Sequence, residues 1–336
     1  MVEGRRATDF ERGLIIMAGA ETPIIIEAAV SSEKPEGNAA ILYGSESEPD
    51  NGKTAGKRSL YGPSLEGARA SLDAGATIIH HHYDMHLPTD QQIEQIIRMS
   101  EEILSTHPHA LIYPAPLFTG TTHAENHKHY PALAAAGCLT MVTIEMGLTI
   151  FANANADGLP NNQWVSGSTY SEAHELVMFA NAHQVPLSLG IYTPATCYWI
   201  REYAKRGLLP AGTIVKIWFG GRHKVWSNKE PTVRNALAPT IKALDAYLEA
   251  LEGVDLPWMI SVQGDNILDS EVVRYAIEQG GHIRVGEEDV SCTTSLDNAA
   301  LVKAAADLAI SVGRRPVSGA EAHRYLGLQS KASQAA

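Results

Sequence analysis

Ser64-Leu65-Glu66-Gly67-Ala68-Arg69-Ala70-Ser71-Leu72-Asp73-Ala74-Gly75-Ala76-Thr77-Ile78-Ile79-His80-His81-His82 reads as a helical pattern, a glycine stop and a short apolar strand in direct succession. Gly75 stands where glycine turns left-handed without a steric penalty. A second helical pattern follows near residues 90 to 105, introduced by Thr89 and Gln92 at the spacing of a capping box. Helix, short strand, helix is the repeating unit of a parallel sheet wrapped by helices.

The same alternation extends in both directions, from about residue 22 to residue 312. Eight strands are expected: Thr22 to Val30, Ala76 to His82, Ala110 to Ala115, Leu139 to Ile144, Pro186 to Ile191, Thr213 to Phe219, Pro257 to Val262 and His282 to Gly286. The other helical patterns fall near residues 124 to 136, 169 to 184, 195 to 206, 231 to 252, 269 to 279 and 298 to 312. Thr169 with Glu172 is a second capping box; Gly207, Gly253 and Gly280 are further stops, and Pro239 is expected to kink or divide its helix. Eight strand–helix units point to an α/β fold of the closed (β/α)8 type, with an open doubly wound sheet as the rival. No glycine-rich dinucleotide fingerprint or phosphate loop follows the first strand, where the open sheet would show one. The expected organisation is an N-terminal segment (1–21), one barrel domain (22–328) and a loose tail (329–336). Three long connections, Ser31 to Gly62, Gly147 to Ser168 and Gly220 to Pro231, follow strand ends, which form the catalytic face of a barrel.

Composition narrows the partners. The chain carries 38 acidic against 26 basic residues, a formal net charge of −12, so no overall positive field invites nucleic acid or an anionic membrane. Cys138, Cys197 and Cys292 are far apart and match no pairing motif, which fits a reducing, cytoplasmic setting. Residues 1–12 mix both charges and the apolar stretch after them is broken by Glu21, Pro23 and Glu27, so neither a signal peptide nor a membrane span is expected.

Two constellations carry chemistry. Strand alternation places His80 and His82 on one face and His81 on the other, and two neutral imidazoles so spaced suit zinc. The plainer reading is a pair of hydrogen-bonded barrel histidines. The second is Gly280-Gly281-His282-Ile283-Arg284-Val285-Gly286-Glu287-Glu288-Asp289, in which Arg284, Gly286 and Glu288 share one parity. Charges beside a barrel core need partners or a metal. Here the plainer reading is a helix start capped by Asp289 or Ser291. Taken with His80 and His82, a two-histidine, one-carboxylate zinc site is the better account.

At this point the chain resembles a known family, the β-keto acid cleavage enzymes. His80-His81-His82 is similar to the family's His-x-His. Gly280 to Asp289 is similar to its Gly-Gly-His-Val-Arg-Val-Gly-Leu-Glu-Asp-Asn signature, with Glu287 for Leu and Val290 for Asn. The likeness continues through Ile24 to Val30, Asn298 to Val302, Gly313 to Pro316, Glu321-Ala322 and Leu326 to Leu328. The resemblance implies a TIM barrel, usually in homotetramers, with zinc on His80, His82 and Glu288, Asp289 as general base and Arg284 orienting it. It implies a reaction in which a β-keto acid and acetyl-CoA give acetoacetate and a new acyl-CoA. Chemically the assignment is sensible, since zinc polarises a ketone while a base removes the proton beside it.

Departures from the family pattern bear on the pocket. Tyr83-Asp84-Met85 replaces an Arg-Asp pair; Leu139-Thr140-Met141 replaces Pro-Glu-Met, leaving Thr143 as a hydroxyl able to touch substrate. Tyr113 to Leu117 replaces a glycine-rich turn, and Leu187, Ser188 and Leu189 replace acidic residues near the fifth strand. Neutral or anionic keto acids are therefore expected over an amine-bearing one. Arg222, with His223 and Lys224, is a candidate for coenzyme A phosphates or a solvated basic turn. His123, His127 and His129 read as surface histidines, and Cys197 as a packed helix residue rather than a nucleophile. The rival functions are a zinc hydrolase or decarboxylase of keto acids on the same site, and a non-catalytic metal-bearing barrel that binds keto acids.

Overall fold

The computed structural model describes residues 22–30, 61–85, 87–118, 122–225 and 229–328. The N-terminal segment 1–21, the tail 329–336 and the first long loop as far as residue 60 lie outside them.

Eight parallel strands make one sheet: β1 (Ile26–Val30), β2 (Ile78–His81), β3 (Leu111–Pro114), β4 (Val142–Met146), β5 (Leu187–Ile191), β6 (Ile214–Gly220), β7 (Trp258–Gln263) and β8 (His282–Val285). Their spatial order is β3-β2-β1-β8-β7-β6-β5-β4, so sequence neighbours pair and the first strand pairs with the last. With helices outside, this is a single-domain (β/α)8 TIM barrel. Among the described residues the one seam without a strand ladder lies between β3 and β4, where side-chain hydroxyls satisfy edge amides, Thr140 across the gap and Tyr130 from the helix His129–Ala135. Thr140 Oγ1 accepts from the Ile112 amide at 2.7 Å, and the Tyr130 hydroxyl accepts from the Thr143 amide at 3.0 Å.

Alternation sorts the strand residues into two sets. Ile25, Ile78, Leu111, Met141, Ile214 and Met259 point inward at the bottom, where Val317, Ala322 and Leu326 of the closing segment plug the barrel. Their neighbours Ile24, Ile79, Ile112, Val142, Val215 and Ile260 face the helical layer. Each fully buried branched side chain contributes about 1.5–3 kcal/mol. Two residues further along each inward row the chain turns polar, with Glu27, His80, Tyr113, Thr143, Lys216 and Ser261, joined by Arg284 two beyond His282, all buried.

Most expected elements appear, and the exceptions have local causes. The first strand is interrupted at Ile25, whose amide donates to His282 Nδ1 at 3.0 Å, while Pro23–Ile24 pairs with Arg315–Pro316. The fourth strand runs to Met146 rather than Ile144. The pattern near 231 to 252 is a helix only over Ile241–Ala250: Pro239 precedes it and Thr240 caps it by accepting from the Ala243 amide. The Thr169–Glu172 capping box is present, but Thr89 and Gln92 form none; Thr89 is already helical and Gln92 donates to the Met85 and Leu87 carbonyls. A box missed in sequence, Thr122 with Glu125, starts the short helix His123–Asn126. The connection Gly147 to Ser168 is not a plain loop but a hairpin, Thr149–Ala154 with Pro160–Ser166, extended by Thr232–Val233.

Candidate functional site

His80 is the inward residue of β2 one step above Ile78, and His82 follows just past the strand end. Their Nε2 atoms lie 3.3 Å apart. The third member arrives from β8 by a sharp departure from strand geometry. At Gly286 (φ 156°) the chain crosses the β1 backbone so closely that a Cβ would lie 2.2 Å from Ala29 O. It then closes a helical turn, Glu287–Val290. The shared parity of Arg284, Gly286 and Glu288 therefore ends at Val285; a helical turn, not an extended chain, separates Glu288 from Asp289. Glu288 places Oε2 3.2 Å from His80 Nε2 and Oε1 3.4 Å from His82 Nε2. One ligand atom from each residue lies within 4.8 Å of the others.

The donor set fits a zinc ion. His80 Nδ1 is 3.2 Å from the Tyr113 carbonyl, so a proton there leaves Nε2 as a lone pair facing the cluster. Burial holds His80 neutral, with a pKa of about 4 despite Glu288 beside it. Burial opposes the Glu288 charge, but His80, Arg284 and His82 keep the carboxyl well below its ordinary range. Two imidazoles and a carboxylate are a donor set that suits an open zinc site. His81 faces away from this cluster and lies outside it.

Arg284 ties this cluster to two more carboxylates. Its Nε and Nη2 donate to both oxygens of Asp289, each at 2.9 Å, and Nη1 donates to Glu27 Oε1 at 2.9 Å. Nη2 also stands 3.1 Å from Glu288 Oε1, and the guanidinium lies 4.6 Å over the Trp218 ring. Ser261 on β7 adds a hydroxyl to Asp289 Oδ2 at 3.0 Å. Burial pushes the Asp289 carboxyl up against the pull of Arg284. Burial pushes Glu27 up too, but Lys216 and Arg284 outweigh it and hold that group at about 2. Lys216 Nζ reaches Glu27 Oε1 at 3.1 Å and touches the Tyr113 hydroxyl, which itself donates to Glu27.

A cavity of about 120 Å³ opens from this layer, with His80, His82, Thr143, Arg284 and Glu288 in its lining. Asp289 sits behind that lining, held by Arg284 and Ser261. Thr143 donates to the Ser188 carbonyl at 3.2 Å. Arg222 is outside the lining and forms a two-pronged pair with Asp265 at 3.0 and 3.1 Å, whereas Lys224 lines the cavity. The histidine cluster is not a surface feature: His129 is fully buried, and burial lowers His127 to about 4. Cys197 is packed, with burial raising its thiol to about 12.

Sequence reading missed Glu27, Tyr113, Glu145, Lys216 and Trp218 at this site. The signal was present: Glu27 and Lys216 are single charges inside the apolar runs Ile24 to Val30 and Ile214 to Phe219. An unsolvated charge in such a run needs a partner. The fifth strand supplies no acid to the wall, as expected, but the fourth does. Glu145 extends over Gly190, where a Cβ would lie 2.6 Å from its carboxylate, and accepts from Trp218 Nε1 at 3.1 Å.

Residues 64–328 match the family model described as beta-keto acid cleavage enzyme. The chain belongs to the β-keto acid cleavage enzyme family. The match includes β2 and β8, hence both halves of the His80–His82–Glu288 cluster, while Glu27 on β1 precedes it. Among solved structures the fold is similar to ObcA in binary complex with oxaloacetate, with TM-score 0.57 and 13% identity over 80% of this chain and 67% of that one. ObcA in ternary complex with a C4-CoA adduct and oxalate gives TM-score 0.53 and 12% identity over 80% and 66%. The chain thus spans about two thirds of ObcA, and at this identity the likeness is one of fold. No curated protein sequence matches the chain.

Proposed function

We propose that this β-keto acid cleavage enzyme uses zinc and acetyl-CoA, releasing acetoacetate and a new acyl-CoA. The observation that carries the reading is the juxtaposition of the His80–His82–Glu288 cluster with the Arg284–Asp289 pair at the strand ends, joined by one guanidinium. Zinc held by His80, His82 and Glu288 would supply Lewis acidity toward the keto and carboxylate oxygens of the substrate.

The remaining work falls to side chains. Asp289 takes the proton from the carbon between keto and carboxylate groups, since burial makes it the stronger base and Glu27, at about 2, stays a charge that anchors Arg284 and Lys216. Arg284 grips both Asp289 oxygens and fixes their direction. The deprotonated carbon then attacks the acetyl thioester; the bond to the original ketone carbon breaks, and the coenzyme A thiol joins that carbon. Acetyl has moved to the substrate's carboxylate fragment and the thiol to its acyl fragment, so every atom is retained. Thr143 faces the reacting oxygens from the lining, and Lys224, with Arg222 beyond it, gives the coenzyme phosphates local cations on an acidic protein. ObcA, on the same fold, binds oxaloacetate and a C4-CoA adduct, which is in keeping with this substrate pair. The reading extends to a cytoplasmic homotetramer; among the described residues no helix is long and apolar enough to cross a membrane.

Incubating the purified protein with acetyl-CoA and a panel of β-keto acids, and weighing the acyl-CoA products by mass spectrometry, tests the proposal. Acetoacetate and a matching acyl-CoA are expected. Consumption of keto acid without acetyl-CoA would move the reaction to hydrolysis or decarboxylation, and binding without consumption would leave a keto-acid-binding barrel.

A further inference from the structure

Glu288 and Asp289 sit on a helix of a single turn, Glu287–Val290. One turn fixes several backbone torsions for very few hydrogen bonds, so it does not hold itself. Its exit is unfavourable as well. Ser291 (φ 45°) and Cys292 (φ 55°) both leave the turn in the left-handed region, which residues with a Cβ disfavour. Such a conformation persists only where bonds from outside over-determine it. At its far end Ser291 donates to the Lys224 carbonyl at 2.5 Å, and the Asp289 carbonyl accepts from the Gly264 amide at 2.8 Å.

At its near end the partner is Asn298, the first residue of the helix Asn298–Ser311. Asn298 Oδ1 accepts from the Glu287 amide at 2.8 Å, and Nδ2 donates to Glu287 Oε2 at 2.7 Å. Both halves of one carboxamide thus serve a single residue. Asn298 is buried and cannot swing away. Asp297 caps its helix by accepting from the Ala300 amide at 2.9 Å, and Gly67 of the helix Tyr61–Asp73 packs so near that a Cβ there would lie 3.3 Å from Asn298 Nδ2. The carboxylate half of the clamp comes from Glu287, which stands where the family signature has leucine.

We propose that Asn298 is the positioning residue of this site: by gripping Glu287 at both amide and carboxylate, it sets the direction in which Glu288 faces His80 and His82 and Asp289 faces Arg284. This rests on the proposed zinc and base roles for what the turn carries, whereas the clamp itself is testable without them. A residue that only packed its helix would change stability and leave the turn as it was.

The test exchanges the polarity of the two partners in the full-length protein. Asn298→Asp keeps an acceptor for the Glu287 amide but sets one carboxylate against another; adding Glu287→Gln restores a donor–acceptor pair in reverse. Zinc dissociation constants from chelator competition are measured beside the exchange of the Asp289 and Gly264 amides in deuterated solvent, both of which are bonded within or onto the turn. Asn298→Asp should weaken zinc by about ten- to a hundredfold and speed both amides, and the double variant should bring both readouts back to within about threefold of the unaltered protein. Glu287→Leu removes only the side-chain half, should weaken zinc several-fold, and keeps the test available if Asn298→Asp misfolds. Unchanged zinc affinity and amide exchange in Asn298→Asp, or a loss that the double variant fails to recover, overturns the clamp. A protein that binds no zinc, yet whose two amides quicken in Asn298→Asp and recover in the double variant, would sink the proposed metal and leave the clamp standing. Tight zinc indifferent to all three variants would do the reverse.

Discussion

Glu288 and Asp289 are adjacent in sequence yet turned to different tasks, one toward two imidazoles and the other toward Arg284 and Ser261. Asp289→Asn should therefore keep metal and fold while lowering kcat by on the order of 10²-fold or more. Glu288→Gln should lose metal first, and Arg284→Lys should fall between them, since lysine keeps the charge but not the two-pronged grip. Turnover and zinc content measured on the same preparations check this; an Asp289→Asn protein that arrives without zinc would show the two roles exchanged. A companion measurement concerns the ion itself: elemental analysis should find about one zinc per chain, and His80→Ala with His82→Ala should abolish it. Unchanged zinc in that double variant would place the metal elsewhere. At this scale His80, His82, Arg284 and Glu288 were legible because their types and spacing are rare together. Glu145 was not, because its role depends on Gly190 of the neighbouring strand, a contact that no local pattern encodes.

Among the elements, the eight strands were legible from alternation, since the inward and outward sets differ in chemistry. Less was legible in the connections. The hairpin Thr149–Ala154 with Pro160–Ser166 lacks a clean hydrophobic alternation, because its exposed face carries Ile150 and Val165 while its other face turns Phe151 and Trp164 toward the cavity. The turn after β8 was misread as extended for a related reason: its geometry is set by the approach of Gly286 to Ala29 rather than by its own residues. Gly286→Ala should consequently cost about 2–4 kcal/mol and displace Glu288, so that zinc affinity falls along with melting temperature. A Gly286→Ala protein with unaltered stability and metal content would mean the turn tolerates a side chain and the crossing is not what fixes Glu288.

For the molecule as a whole, several buried groups tie stability to pH. His282 is held neutral at about 3 by burial and the nearby Arg314 charge, whereas in an unfolded chain it titrates near 6.5. Its folded value is depressed, so its contribution is complete above pH 6.5 and is lost as pH falls toward 3. By pH 5 one such histidine accounts for about 2 kcal/mol. Glu27, at about 2, adds a second loss between roughly pH 4.5 and 2. The melting temperature should fall steadily below pH 6.5, and His282→Asn, which retains an acceptor for the Ile25 amide, should flatten the upper part of that fall. A melting temperature constant from pH 7 to 5 would contradict both statements.

The seam between β3 and β4 gives the barrel a property that rings of strands otherwise lack, namely two ends. A ladder with ends frays from them, and a ladder without ends must break somewhere first. Here Thr140 fastens β3 to β4 through Ile112, and Tyr130, from the helix His129–Ala135, holds the Thr143 edge amide; each hydroxyl can let go by a side-chain rotation. In deuterated solvent the Ile112 and Thr143 amides should exchange well ahead of those of β7 and β8, halfway round the arc. The same slit borders Thr143 and the pocket, so an amide clock at these two positions would time the breathing of the wall against which substrate must settle.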